Sequence, residues 1–147
     1  MLSVVGILMM VRTSRMLDCD RKLRVILLDD QPIVLSGVSM LLGALGHQVT
    51  QASRGEEVVE RFQNGERFDV AILDMTVEAG LGGSEIAADL LQIDPDVKLI
   101  VSSGYGISDV ISDCQQFGFH GALPKPFSMA ELKLAIDSVM QVDKCAE

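Results

Sequence analysis

Leu23-Arg24-Val25-Ile26-Leu27-Leu28-Asp29-Asp30 is a continuous apolar run with one charge in it, stopped by two carboxylates. Six residues are too few for an amphipathic helix, and β-branched and leucine side chains in an unbroken row suit a strand covered on both faces. The same sentence is written again downstream. Phe68-Asp69-Val70-Ala71-Ile72-Leu73 ends in Asp74, Val97-Lys98-Leu99-Ile100-Val101 ends in Ser102-Ser103, and Gly121-Ala122-Leu123 ends in Pro124-Lys125-Pro126. A weaker strand, His47 to Ala52, lies between the first two. Apolar strands that each end in a polar residue are the mark of a parallel sheet whose carboxyl edge carries the chemistry.

Between the strands the apolar period changes from two to nearly four. Pro32 suits the first turn of a helix, where its missing N–H costs nothing, and Val34, Val38, Leu41, Leu42 and Leu45 form a stripe closed by Gly46. Ser53-Arg54-Gly55-Glu56 has capping-box spacing and opens a helix with Val58, Val59 and Phe62. Ile86, Leu90 and Ile93 mark a third helix, and 107–117 a weaker fourth. Ser128-Met129-Ala130-Glu131 is a second capping box, with Phe127 and Leu132 placed as a hydrophobic staple and Met129, Leu132, Ile136, Val139 and Met140 along the face. Strict β-α alternation implies a doubly wound α/β fold, (βα)5, with a five-stranded parallel sheet and right-handed crossovers.

Composition sets the remaining bounds. The 147 residues are 48% apolar and 22% charged, enough for one domain with one core. Twelve basic and 21 acidic side chains leave a net charge of −9, which repels phosphate backbones and argues against nucleic-acid binding. Residues 1–24 hold five basic and two acidic groups, so the acidic excess belongs to the rest. Leu2 to Val11 is apolar but about half the length that spans a bilayer, and it lacks the basic start and small-residue cleavage site of a signal peptide. Residues 1–22 read as an extension, flexible or helical, 23–142 as the domain and 143–147 as a tail. Three cysteines without metal or redox spacing fit reduced thiols in a cytoplasmic protein, and with only two histidines the composition argues against a zinc site.

At the carboxyl edge Asp29, Asp30 and Asp74 converge with Ser103 and Lys125. Three carboxylates repel one another unless a hard cation with oxygen ligands, Mg²⁺ above all, lies among them. A hydroxyl and an ammonium beside them make a place for an anion, and the set suits phosphoryl chemistry. Taken singly, each residue has a plainer reading as a turn former, a helix cap or a solvated loop side chain. Their placement on successive strand ends is what sets that reading aside.

The pieces Leu28-Asp29-Asp30, Ala71-Ile72-Leu73-Asp74-Met75-Thr76, Ile100-Val101-Ser102-Ser103-Gly104-Tyr105 and Leu123-Pro124-Lys125-Pro126-Phe127 resemble the response-regulator receiver domain of two-component signalling, over about residues 23–142. The resemblance implies the flavodoxin-like receiver fold. It implies Asp74 as phosphoacceptor, with Asp29, Asp30, Asp74 and the Thr76 carbonyl around Mg²⁺. It further implies a hydroxyl that moves onto the phosphoryl group, and Lys125 as its cationic partner, followed by a cis Lys-Pro bond. The backbone N–H groups of Met75 and Gly104 would face the phosphoryl. Strand alternation turns one of Ser102 and Ser103 toward the site. In the family a small residue follows the switch hydroxyl, which fits Ser103 before Gly104. The donor would be a histidine kinase or histidine phosphotransfer domain, and the output a partner protein or a homodimer.

Two features depart from the pattern. The loop Thr76-Val77-Glu78-Ala79-Gly80-Leu81-Gly82-Gly83 has Glu78 where the family usually has proline, and resembles receivers attached to hybrid histidine kinases. Ala122 stands where many receivers have an aromatic residue, so the common hydroxyl–aromatic relay is missing and Tyr105 is a candidate substitute. Thr76 also stands where an aspartate-nucleophile phosphatase would have its second acid. A degenerate receiver that only binds a partner is the alternative reading.

Overall fold

In the computed structural model, residues 22–74, 83–104 and 118–145 are described. The expectations for residues 1–21, the 107–117 helix, Met75, Thr76, Glu78 and Tyr105 lie outside them. Among the described residues, strands β1 (Arg24–Leu28), β2 (Gln48–Ala52), β3 (Val70–Asp74) and β4 (Lys98–Ser103) are separated by helices α1 (Pro32–Ala44), α2 (Gly55–Gln63) and α3 (Gly83–Ile93), and β5 (Gly121–Pro124) is followed by α4 (Met129–Cys145). All strand pairs are parallel, in the order β2-β1-β3-β4-β5. The order reverses between β1 and β3, and at such a switch point the connections leave in opposite directions and open a crevice at the carboxyl edge.

Each strand divides its side chains between two cores. Val25, Leu27, Val70, Ile72, Ile100 and Leu123 pack under α1 and α4, against Leu35, Val38, Leu42, Leu132, Ile136 and Val139. Ile26, Leu28, Ala71, Leu73, Leu99 and Val101 pack on the opposite face, against Val58 and Phe62 of α2 and Ile86, Ala87 and Leu90 of α3. This double burial is why the strands read as unbroken apolar runs. Each valine, leucine, isoleucine or phenylalanine among them taken fully out of water stabilises the fold by about 1.5–3 kcal/mol before entropy is counted.

Three local expectations are corrected. The capping box at Ser53 does not form: Arg54 is the N-cap of α2 with no side-chain cap bond, and the Ser53 hydroxyl donates to Glu57 Oε1 at 3.0 Å. Helix α2 starts one residue later than the box requires. Met129 does not join the buried face of α4 and is 37% exposed. On α1 the most buried positions are Leu35, Val38 and Leu42, whereas Val34, Leu41 and Leu45 lie at the margin. The box at Ser128 does form, with Glu131 N–H donating to Ser128 Oγ at 3.1 Å and Ser128 N–H to Glu131 Oε1 at 3.2 Å. Phe127 and Leu132 pack in one cluster, as a staple requires.

Candidate functional site

Where β1 runs out of apolar residues, Asp29 continues its ladder by donating its N–H to the Ala52 carbonyl at 3.1 Å. Its own carboxylate turns forward, and Oδ1 accepts the Gln31 N–H at 2.9 Å. Such an Asx-type bond fixes the turn into α1 and holds the carboxylate at the edge of the sheet. Asp74 closes β3 next to β1, and both carboxylates are buried. Asp30 is half-buried beside them.

Lys125 reaches both. Its Nζ lies 2.5 Å from Asp29 Oδ2 and 3.3 Å from Asp74 Oδ2. Its backbone is pinned by a 2.8 Å bond from its N–H to the Ser103 carbonyl, and the bond to Pro126 is cis. Burial alone lowers the pKa of the ammonium, but the hydrogen bond to Asp29 and the charges of Asp74 and Asp29 outweigh it and hold the group above the ordinary lysine value. In this resting arrangement Lys125 is a cation held between the two buried carboxylates.

Asp29, Asp30 and Asp74 each offer one oxygen, and these lie within 4.8 Å of one another. Hard oxygen donors at that spacing suit a small hard divalent cation better than zinc or copper, whose sites favour nitrogen and sulfur. The acidic cluster could therefore bind a metal at the crevice between β1 and β3. Chemically the arrangement offers a carboxylate nucleophile, a cation site and an ammonium around one small volume.

Of the residues picked out from sequence, the structure brings together Asp29, Asp30, Asp74 and Lys125. Ser103 is buried at the end of β4, one step from Gly104, and its carbonyl holds Lys125. Thr76 falls outside the described residues. Asp29 as the nearer partner of Lys125 was not foreseen, since 96 residues separate the two and no local pattern connects them. Among the described residues no helix is long and apolar enough to cross a membrane.

Comparison with known proteins gives a consistent picture. A family model described as the response regulator receiver domain matches residues 25–137. Sporulation initiation phosphotransferase F of Bacillus subtilis is 29% identical over 117 residues, which cover 77% of this chain and 90% of that protein. Sensor kinase CckA of Brucella abortus is 25% identical over 131 residues, which cover 88% of this chain but only 14% of the kinase. The crystal structure of a response regulator receiver domain protein from Clostridium thermocellum superposes with a TM-score of 0.73 at 25% identity, covering 84% of this chain and 98% of that one.

Proposed function

The chain belongs to the response regulator receiver family, and on that footing we propose that it takes a phosphoryl group from a phosphohistidine onto Asp74 and changes partner binding while it carries it. The observation that carries this reading is the convergence of three carboxylates within 4.8 Å, two of them bridged by Lys125.

In the proposed reaction an Asp74 carboxylate oxygen attacks phosphorus in line with the phosphorus–nitrogen bond of the donor. The P–O bond forms, the P–N bond breaks, and the imidazole leaves with its electron pair and takes up a proton. Asp29, Asp30, Asp74 and the Thr76 carbonyl would hold Mg²⁺, which when bound spreads the charge on the phosphoryl oxygens. Lys125 approaches those oxygens from the other side with a charge that does not titrate near neutral pH. The Ser103 hydroxyl is assigned to a phosphoryl oxygen in the phosphorylated state. Hydrolysis of the acyl phosphate restores Asp74, so the domain is a timed switch with no released substrate of its own.

The donor is a histidine kinase or histidine phosphotransfer domain acting in the cytoplasm. The output is a protein partner or a second copy of the chain. Because Ala122 replaces the usual aromatic residue and packs partly buried against the α2–α3 core, the signal leaves by a route other than an aromatic swing at that position. The full complement of acidic and basic site groups weighs against a receiver that only binds.

Intact mass after incubation with Mg²⁺ and acetyl phosphate tests the reading. One Mg²⁺-dependent phosphoryl adduct is expected, absent from Asp74→Asn. Persistent labelling of Asp74→Asn would refute the acceptor assignment.

A further inference from the structure

Ser102 is 3% exposed, and its Oγ has no hydrogen-bond partner among the described residues. A buried hydroxyl left unpaired costs stability that an apolar side chain of similar size would not. The three residues before it, Leu99, Ile100 and Val101, are all apolar and fully buried. A hydroxyl kept in such a place calls for a partner that the resting site does not supply.

The alternation of the sheet says what that partner is. Ile100 packs under α1 and α4 with Leu27, Ile72 and Leu123, whereas Val101 packs on the other face. Two residues further along each strand, the same alternation puts Asp29, Asp74, Ser102 and Lys125 on one face, with Lys125 one strand repeat beyond the register of the other three. Ser103 falls on the opposite face, with Val101 and Ala122, but it is the last residue of β4, one residue beyond the register of Asp74 at the open edge of the sheet, so both serines border the site from different sides. Ser102 is in register with Asp74 on one side and with Leu123, two residues before Lys125, on the other. It therefore stands between the acceptor strand and the lysine strand, at the floor of the site.

We propose that Ser102 is a positioning residue for phosphoryl transfer, its hydroxyl donating to the Asp74 carboxylate once Lys125 turns to the phosphoryl group. The inference rests on the receiver reading. In the resting site Asp74 Oδ2 is held by the ammonium at 3.3 Å, and that ammonium is shared with Asp29. When the ammonium is drawn onto phosphoryl oxygens, the carboxylate loses a donor. Ser102 replaces it from a position already stripped of water, and so fixes the orientation of the attacking carboxylate. In the acyl phosphate the unesterified oxygen of Asp74 becomes a carbonyl and remains an acceptor for the same O–H. No bond to Ser102 forms or breaks.

The test uses the full chain with Mg²⁺ and acetyl phosphate, following the phosphoryl adduct by intact mass over time, beside thermal melts. Ser102→Val should melt higher than wild type, because the unpaired hydroxyl is gone. It should also label roughly fivefold more slowly or worse, the size of one lost hydrogen bond. Ser102→Thr, which keeps the hydroxyl, should label at the wild-type rate. Ser102→Ala repeats the comparison without added bulk and should also be slow. A merely structural serine would move the melting temperature and leave labelling alone. Wild-type labelling and adduct lifetime in Ser102→Val or Ser102→Ala would overturn the inference while leaving the receiver reading intact. A wild-type chain that does not label would overturn both.

Discussion

Leu23 and Leu99 each donate a backbone N–H to a histidine ring, to His47 Nδ1 at 3.2 Å and to His120 Nδ1 at 3.0 Å. Both rings lie at the amino edge of the sheet, just before β2 and β5, so the chain's two histidines do the same structural work. A ring nitrogen that accepts cannot carry a proton, which ties these contacts to the neutral imidazole. Burial lowers the pKa of His47, and Lys133 adds to the effect, while Asp137 and Asp69 oppose it. The folded chain thus resists a proton that the unfolded chain accepts near pH 6.5. Acid therefore favours unfolding, and the stability lost appears as pH falls below about 6.5 toward the lowered folded value. Between pH 7.5 and 5.5 the melting temperature of the wild type should drop more than that of His47→Gln. Equal drops would show that this ring does not contribute.

At the level of elements, β5 and α4 approach closely at Gly121. A Cβ built on Gly121 would sit 2.8 Å from Val139 Cγ1. Val139 is buried, and valine on a helix has essentially one side-chain rotamer, so it cannot swing aside. Gly121→Ala should cost about 1–3 kcal/mol by overpacking, and Val139→Ala in the same chain should recover part of it. Denaturant midpoints of the two single variants and the double variant would measure the coupling. A shift of α4 would be felt next door, since Lys125 stands four residues beyond Gly121.

For the whole molecule, net charge and site charge work in the same direction. The chain carries −9, and two of its carboxylates are buried side by side at the site. Lys125 neutralises part of that repulsion, and a divalent cation among Asp29, Asp30 and Asp74 would neutralise it from the other side. Such a cation and Lys125 would share the carboxylates of Asp29 and Asp74. Lys125→Met should therefore lower stability by about 1–3 kcal/mol at neutral pH, less than the 3–5 kcal/mol of breaking a fully buried pair, because the lysine side chain is 23% exposed. Mg²⁺ should then raise the melting temperature of Lys125→Met by more than it raises that of the wild type. An equal rise in both proteins would mean that the ammonium and the metal do not share ligands.

Fold class was legible from residues 23–30 outward, because burial on both faces of a parallel strand imposes a local pattern: an unbroken apolar run that ends where the strand meets water. The acidic trio and Lys125 were legible for the same reason, as polar residues at successive strand ends. Helix starts were only partly legible. Ser53 and Ser128 have the same capping-box spacing, and only Ser128 caps, since the hydroxyl of Ser53 bonds to Glu57 instead. Tertiary structure alone decided three matters. It gave the strand order, because nothing local says that β1 lies between β2 and β3. It made Asp29 the nearer partner of Lys125, across 96 residues. It also put Ser102 in the row of Asp74, because the side a strand residue faces depends on which helices cover each face, and that is settled only when distant segments pack.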